Sequence, residues 1–138
     1  VNTGTGDNYT ANGNYPHGGT GYIYLGAANN TSGAWYQQVT IPSGTSPSLN
    51  FWLSVSSDET TTTTQYDRLF IEVRSASGSL LATLATFSNL NEAAAGNYTL
   101  RGAYSLASFA GQTVRIQFRS TTDFTLPTTF RVDDVSVK

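Results

Sequence analysis

The chain closes on Phe130-Arg131-Val132-Asp133-Asp134-Val135-Ser136-Val137-Lys138, an apolar β-type run that carries two adjacent carboxylates. Strand side chains alternate between faces, so this pattern points one of the two acids inward. An ionised carboxylate facing a core is costly unless it is paired or coordinates a cation. The only bases nearby are Arg131 and the terminal Lys138. A calcium ion held by this strand is one reading. The other is a charged edge strand that discourages pairing with a second sheet.

A further set of acids brackets a polar loop. Asp58 and Glu59 open a run of five threonines, Asp67 closes it, and Asp123 precedes the last strand. If that loop folds back, Glu59 and Asp67 are placed to share a cation; otherwise they are solvated loop acids. His17 is the only histidine, and Pro16-His17-Gly18-Gly19 reads as a turn in which it anchors a loop. No nucleophile elbow and no H-E-x-x-H zinc helix is present. Glycoside hydrolysis needs two facing carboxylates, and Glu72 with Asp67 fall on outward or loop positions that do not suit it. The expectation is a non-catalytic protein.

The elements that position these residues are strands. At 138 residues the chain is expected to form one domain, 1–138, that buries about 70% of its unfolded surface. It has no cysteine, which excludes disulfides and Cys-based zinc sites. Charged residues are 12% of the chain, about half the usual share, and a net charge of −2 offers no basic footprint for nucleic acid. No apolar run approaches a membrane span. No signal-peptide pattern is read at the start, so a mature fragment or a soluble domain is expected. The methionine-free, Thr/Ser/Asn/Gly/Tyr-rich composition is that of secreted bacterial β-proteins, so a secreted or cell-surface location is expected.

Residues 1–21 are rich in glycine and asparagine and read as loop. Then follow about eight candidate strands at 22–25, 35–41, 49–56, 68–75, 80–87, 98–104, 113–120 and 130–137. Pro42, Pro47 and Pro127 fall between them, where a missing N–H does no harm. Residues 106–110 are compatible with one helical turn, stopped by Gly111. Leu49, Phe51, Leu53 and Val55 share one face; so do Leu69, Ile71 and Val73, and Val114, Ile116 and Phe118. Such alternation predicts an all-β, two-sheet antiparallel sandwich. The opposite faces carry Asn50, Trp52 and Ser54; Phe70, Glu72 and Arg74; and Arg115, Gln117 and Arg119.

Several segments together resemble a known family. They are His17-Gly18-Gly19-Thr20-Gly21-Tyr22, Tyr24-Leu25-Gly26, Tyr36-Gln37-Gln38-Val39-Thr40-Ile41-Pro42 and Leu49-Asn50-Phe51-Trp52-Leu53. Later in the chain come Leu106-Ala107-Ser108-Phe109-Ala110-Gly111-Gln112-Thr113-Val114-Arg115-Ile116 and Val132-Asp133-Asp134-Val135-Ser136-Val137. Over roughly 16–138 the chain resembles the galactose-binding-like jelly roll. That family includes MAM-like modules and carbohydrate-binding modules of the family 4/9, 16 and 22 kind. The match is closer to C-terminal accessory domains of secreted bacterial hydrolases, notably peptidases.

The resemblance implies a structural calcium ion beneath the last strand. Asp133 would supply a carboxylate, and main-chain oxygens around Gly18 and Thr20 would supply others. Asp134 is the alternative ligand, because a strand bulge exchanges the two faces. It also implies sugar recognition by exposed rings flanked by polar groups, since the C–H face of a sugar is apolar. Trp52 is the first candidate platform. Tyr9, Tyr15 and Tyr66 lie in loops, and either Trp35 or Tyr36 must face outward. Arg74, Arg115, Gln117 and Arg119 would read hydroxyls. The competing reading packs Trp52 under a loop or under residues 1–21.

The function expected is that of a calcium-stabilised binding module that tethers a parent catalytic domain to polysaccharide or another extracellular polymer. The alternatives are a structural or adhesive domain, and a C-terminal peptidase domain with no sugar site.

Overall fold

The structure is a computed structural model that describes residues 15–138 in full and the backbone of 2–4 and 8–10. Among the described residues ten strands form: β1 (Asn2–Gly4), β2 (Asn8–Thr10), β3 (Tyr22–Gly26), β4 (Ser32–Thr40), β5 (Ser48–Ser57), β6 (Arg68–Ser75), β7 (Leu80–Ser88), β8 (Thr99–Ser105), β9 (Thr113–Thr121) and β10 (Thr128–Val137). They make two five-stranded sheets, ordered β1-β4-β9-β6-β7 and β2-β3-β10-β5-β8. Every pairing is antiparallel. The eight long strands lie where the alternating apolar runs place them. The opening segment, expected to be loop, instead adds β1 and β2 as short edge strands. Residues 107–109 form a single 3-10 turn, within the stretch expected to be helical.

Alternation builds the core directly. Leu49, Phe51, Leu53 and Val55 of β5, Leu69, Ile71 and Val73 of β6, and Val114, Ile116 and Phe118 of β9 are all buried between the sheets. Phe51 is the centre: Phe87 and Phe118 meet it edge-on, and Tyr104 stacks on it. Burying one such ring contributes about 1.5–3 kcal/mol. At one edge Ile23, Trp35, Val39, Phe118, Val135 and Val137 line an apolar cleft between the layers.

The last position of β3 requires glycine. Gly26 has φ +77°, and a Cβ there would lie 2.4 Å from the Thr128 carbonyl oxygen.

Candidate binding faces and metal centre

The closing strand does not put one acid inside. The β10–β5 register slips between Asp133 and Ser136, and Asp134 takes the left-handed conformation, φ +48°. Aspartate tolerates that region better than most residues. The resulting bulge turns both carboxylates to the outer face, correcting the expectation of simple alternation.

There they meet the 15–20 loop. Asp133 Oδ2 accepts the N–H groups of His17 and Gly18 at 2.9 and 3.1 Å. His17 Nδ1 donates to Asp134 Oδ2 at 2.6 Å. Asp133 Oδ1 accepts the Asp134 N–H. A Cβ on Gly18 would lie 2.9 Å from Asp134 Oδ2, so glycine lets the loop come this close.

The Asp133 carboxylate is engaged by the N–H groups of His17, Gly18 and Asp134, and that of Asp134 by the His17 ring. Hydrogen bonds make the tie between loop and strand.

The same loop covers the expected sugar platform. His17 stacks on Trp52 and meets Tyr98 edge-on. The Tyr98 hydroxyl donates to the Tyr15 carbonyl at 2.7 Å, and burial, with the Asp133 charge next, pushes its pKa well above the usual range. Tyr15 lies under the Arg131 guanidinium. Trp52 is thus stacked under His17, Tyr15 stays exposed beside Arg131, and His17 is the anchor its turn suggested. The Tyr9 side chain lies outside the described residues.

The threonine loop does fold back. Carboxylate oxygens of Glu59, Asp67 and Asp123 lie within 4.8 Å of one another. Asn89 fixes one side: its Oδ1 accepts the N–H groups of Tyr66 and Asp67, and its Nδ2 donates to the Thr64 carbonyl. Asp67 is fully buried; its Oδ1 accepts the Asp123 N–H and its Oδ2 the Thr128 hydroxyl. Glu59 is 7% exposed, and its Oε1 has no hydrogen-bond partner. Burial, then the charges of Asp67, Asp123 and Glu92, raise the Glu59 pKa. Among the described residues no basic side chain pairs with these three acids. Tyr66 is exposed on this loop.

The outer face of the β4-β9-β6-β7 sheet carries the second group of expected sugar contacts. Register places Tyr36, Gln117 and Glu72 in one row, Gln38, Arg115 and Arg74 in the next, and Ala34, Arg119 and Phe70 in a third. Tyr36 is thus the outward residue of the Trp35/Tyr36 pair. Arg115 lies over the Tyr36 ring at 4.3 Å, and Arg119 over the Phe70 ring at 4.2 Å.

Glu72 sits on this outer face, as alternation predicts, yet is only 1% exposed. Arg74 and Arg119 each reach it at 3.0 Å, and Gln117 Nε2 donates to it at 3.3 Å. Burial alone would raise its pKa; hydrogen bonds from Arg119 and Arg74, then their charges, outweigh burial and hold it below the ordinary value. Arg115 Nε is buried with no hydrogen-bond partner. Of the residues singled out in the sequence, Arg115 and Gln117 lie together on this face, whereas Trp52, Tyr15 and Tyr66 do not. Tyr36 and Phe70 are the rings beside them, legible only once strand register is known.

Two antiparallel sheets in this order make the jelly-roll sandwich fold that solved carbohydrate-binding modules and adhesin domains share. The solved structure of TmCBM61 in complex with β-1,4-galactotriose superposes with a TM-score of 0.65 at 12% identity, covering 100% of this chain and 86% of that one. The K1 cleaved adhesin domain of Lys-gingipain from Porphyromonas gingivalis W83 gives 0.63 at 12% identity, covering 98% and 92%. A family 16 carbohydrate-binding module gives 0.59 at 14% identity, covering 97% and 87%. These likenesses concern the fold. No protein-family profile matches the sequence, and no curated protein matches it either.

Proposed function

We propose that this chain is a non-catalytic carbohydrate-binding module whose site is the outer face of the β4-β9-β6-β7 sheet. The observation that carries this reading is the Tyr36–Arg115 pair beside Gln117. A ring supplies apolar area for a sugar face and a planar guanidinium supplies directed donors to hydroxyls, while the buried Gln117 donates to Glu72 behind them. Glu72 holds Arg119, Arg74 and Gln117 in place, so little side-chain entropy remains to be lost on binding.

Tyr36 and Phe70 stand on strands separated by β9 and two residues apart in register, so they lie about 12 Å apart across the sheet. That spacing suits a chain of sugars over a single ring. The ligand is a polysaccharide, and the module's work is tethering: it raises the local concentration of whatever catalytic domain it is joined to. A secreted or surface location accords with such a ligand. No helix among the described residues is long and apolar enough to cross a membrane.

Affinity gel electrophoresis against a panel of soluble plant and bacterial polysaccharides tests this. At least one polymer should retard the protein, and Tyr36→Ala should run unretarded. Uniform mobility across the panel would refute it.

A further inference from the structure

We propose that Glu59, Asp67 and Asp123 form a calcium site that joins the threonine loop to the segment preceding β10. The three carboxylates converge within 4.8 Å from positions up to 64 residues apart in sequence (123 minus 59). Like charges gather this closely when something positive offsets them. Among the described residues no arginine, lysine or histidine does so.

The second observation is Glu59 itself. It is 7% exposed, one of its carboxylate oxygens lies in the cluster, and its Oε1 is buried with no hydrogen-bond partner. A carboxylate oxygen in that position needs a proton or a cation. Both Asp67 oxygens already accept one hydrogen bond each, from Asp123 N–H and Thr128 Oγ1. Each still has a second lone pair, and those two bonds fix the carboxylate toward Asp123.

The donor set names the metal class. It holds only hard oxygens, with no imidazole or thiolate, which disfavours zinc and copper and favours calcium or magnesium. The site is assembled from loop residues of unequal burial rather than as a compact octahedron, and calcium accepts such irregular coordination completed by carbonyls and water. Asp123 is half-buried and gives the ion its route in. The bonds already spanning the same junction, Asp58 N–H to the Pro127 carbonyl and Asn30 N–H to the Asp123 carbonyl, are those an ion here would reinforce.

The test is a thermal melt and calorimetric titration of metal-stripped protein with calcium chloride alone, at up to about 5 mM, above the range of weak extracellular sites. A ligand that binds only the native state raises the melting temperature. We expect a rise of several degrees, reversed by EGTA and smaller with magnesium. Glu59→Gln and Asp123→Asn should each lose the response, while Asp133→Asn and Asp134→Asn keep it. Metal-free Glu59→Gln should melt no lower than metal-free wild type, because it removes an uncompensated buried charge. Should that variant not fold, the half-buried Asp123→Asn carries the test. No shift and no heat in wild type would overturn the proposal. So would a full response in both Glu59→Gln and Asp123→Asn, or a response lost only in the Asp133 and Asp134 variants.

Discussion

His17 lies flat on Trp52, with ring centroids 4.0 Å apart and planes 17° from parallel. The imidazole is held in that pose by Asp134 through Nδ1, while its backbone N–H is held by Asp133. The closing strand, the opening loop and the tryptophan thus form one latch on the outer face of the β10 sheet. On the outer face of the opposite sheet, the half-exposed rings of Tyr36 and Phe70 stand beside Arg115 and Arg119.

Trp52→Ala should therefore act on stability rather than on binding. Removing a half-buried ring and its stacking partner is expected to cost roughly 2–4 kcal/mol. For a domain of this size that is a fall in melting temperature on the order of 5–12 °C. Polysaccharide retardation measured well below the melting point should match wild type. Lost retardation in a folded Trp52→Ala protein would return the sugar site to this face.

Glu72 predicts an acid limb in the stability profile. Its folded pKa is held below the ordinary 4.5, so its contribution is fully present above the unfolded value and disappears as pH falls through the lower folded one. Glu72→Gln should cost roughly 2 kcal/mol at neutral pH, the scale of hydrogen bonds to a charged group. Its melting temperature should also decline less steeply than wild type as pH falls below about 4.5. Parallel acid limbs in the two proteins would contradict the assignment.

The last position of β3 offers a backbone test. Gly26→Ala adds a Cβ 2.4 Å from a carbonyl oxygen at φ +77°. Left-handed strain alone costs about 1–3 kcal/mol, and the clash adds to it. Urea denaturation should show a lower midpoint with little change in slope. A midpoint equal to wild type would mean that the β3–β10 edge relaxes freely.

Arg115 separates charge from shape. Lysine keeps the charge of arginine but not its planar fork. Arg115→Lys should weaken binding to a retarding polysaccharide by about 3–10-fold, and Tyr36→Ala by at least about 10-fold, which is 1.4 kcal/mol. Equal affinity of Arg115→Lys and wild type would show that the guanidinium does not read hydroxyls.

The strands were legible in the sequence because alternation and proline-marked turns are local signals. Leu49 through Val55, for example, declare their inner face within seven residues. The bulge at Asp134 was not, since Val-Asp-Asp-Val reads equally as a regular strand, and only the left-handed φ moves both acids to one side. Asp123 was visible as an acid, but its meeting with Glu59 and Asp67 depends on two loops folding together. Glu72 was correctly read as outward, yet its burial comes from long side chains on its own face, which periodicity does not report. Tyr36 and Phe70 became a pair only when β9 was found between their strands.

The proposed sugar face is tested most directly by backbone amide NMR during titration with an oligosaccharide of whichever polysaccharide retards the protein. Shifts should concentrate at Tyr36, Gln38, Phe70, Arg115, Gln117 and Arg119, with residues 17–20, Trp52 and Asp133 unmoved. Shifts centred on His17, Trp52 and Asp133, or no saturable shifts, would contradict it.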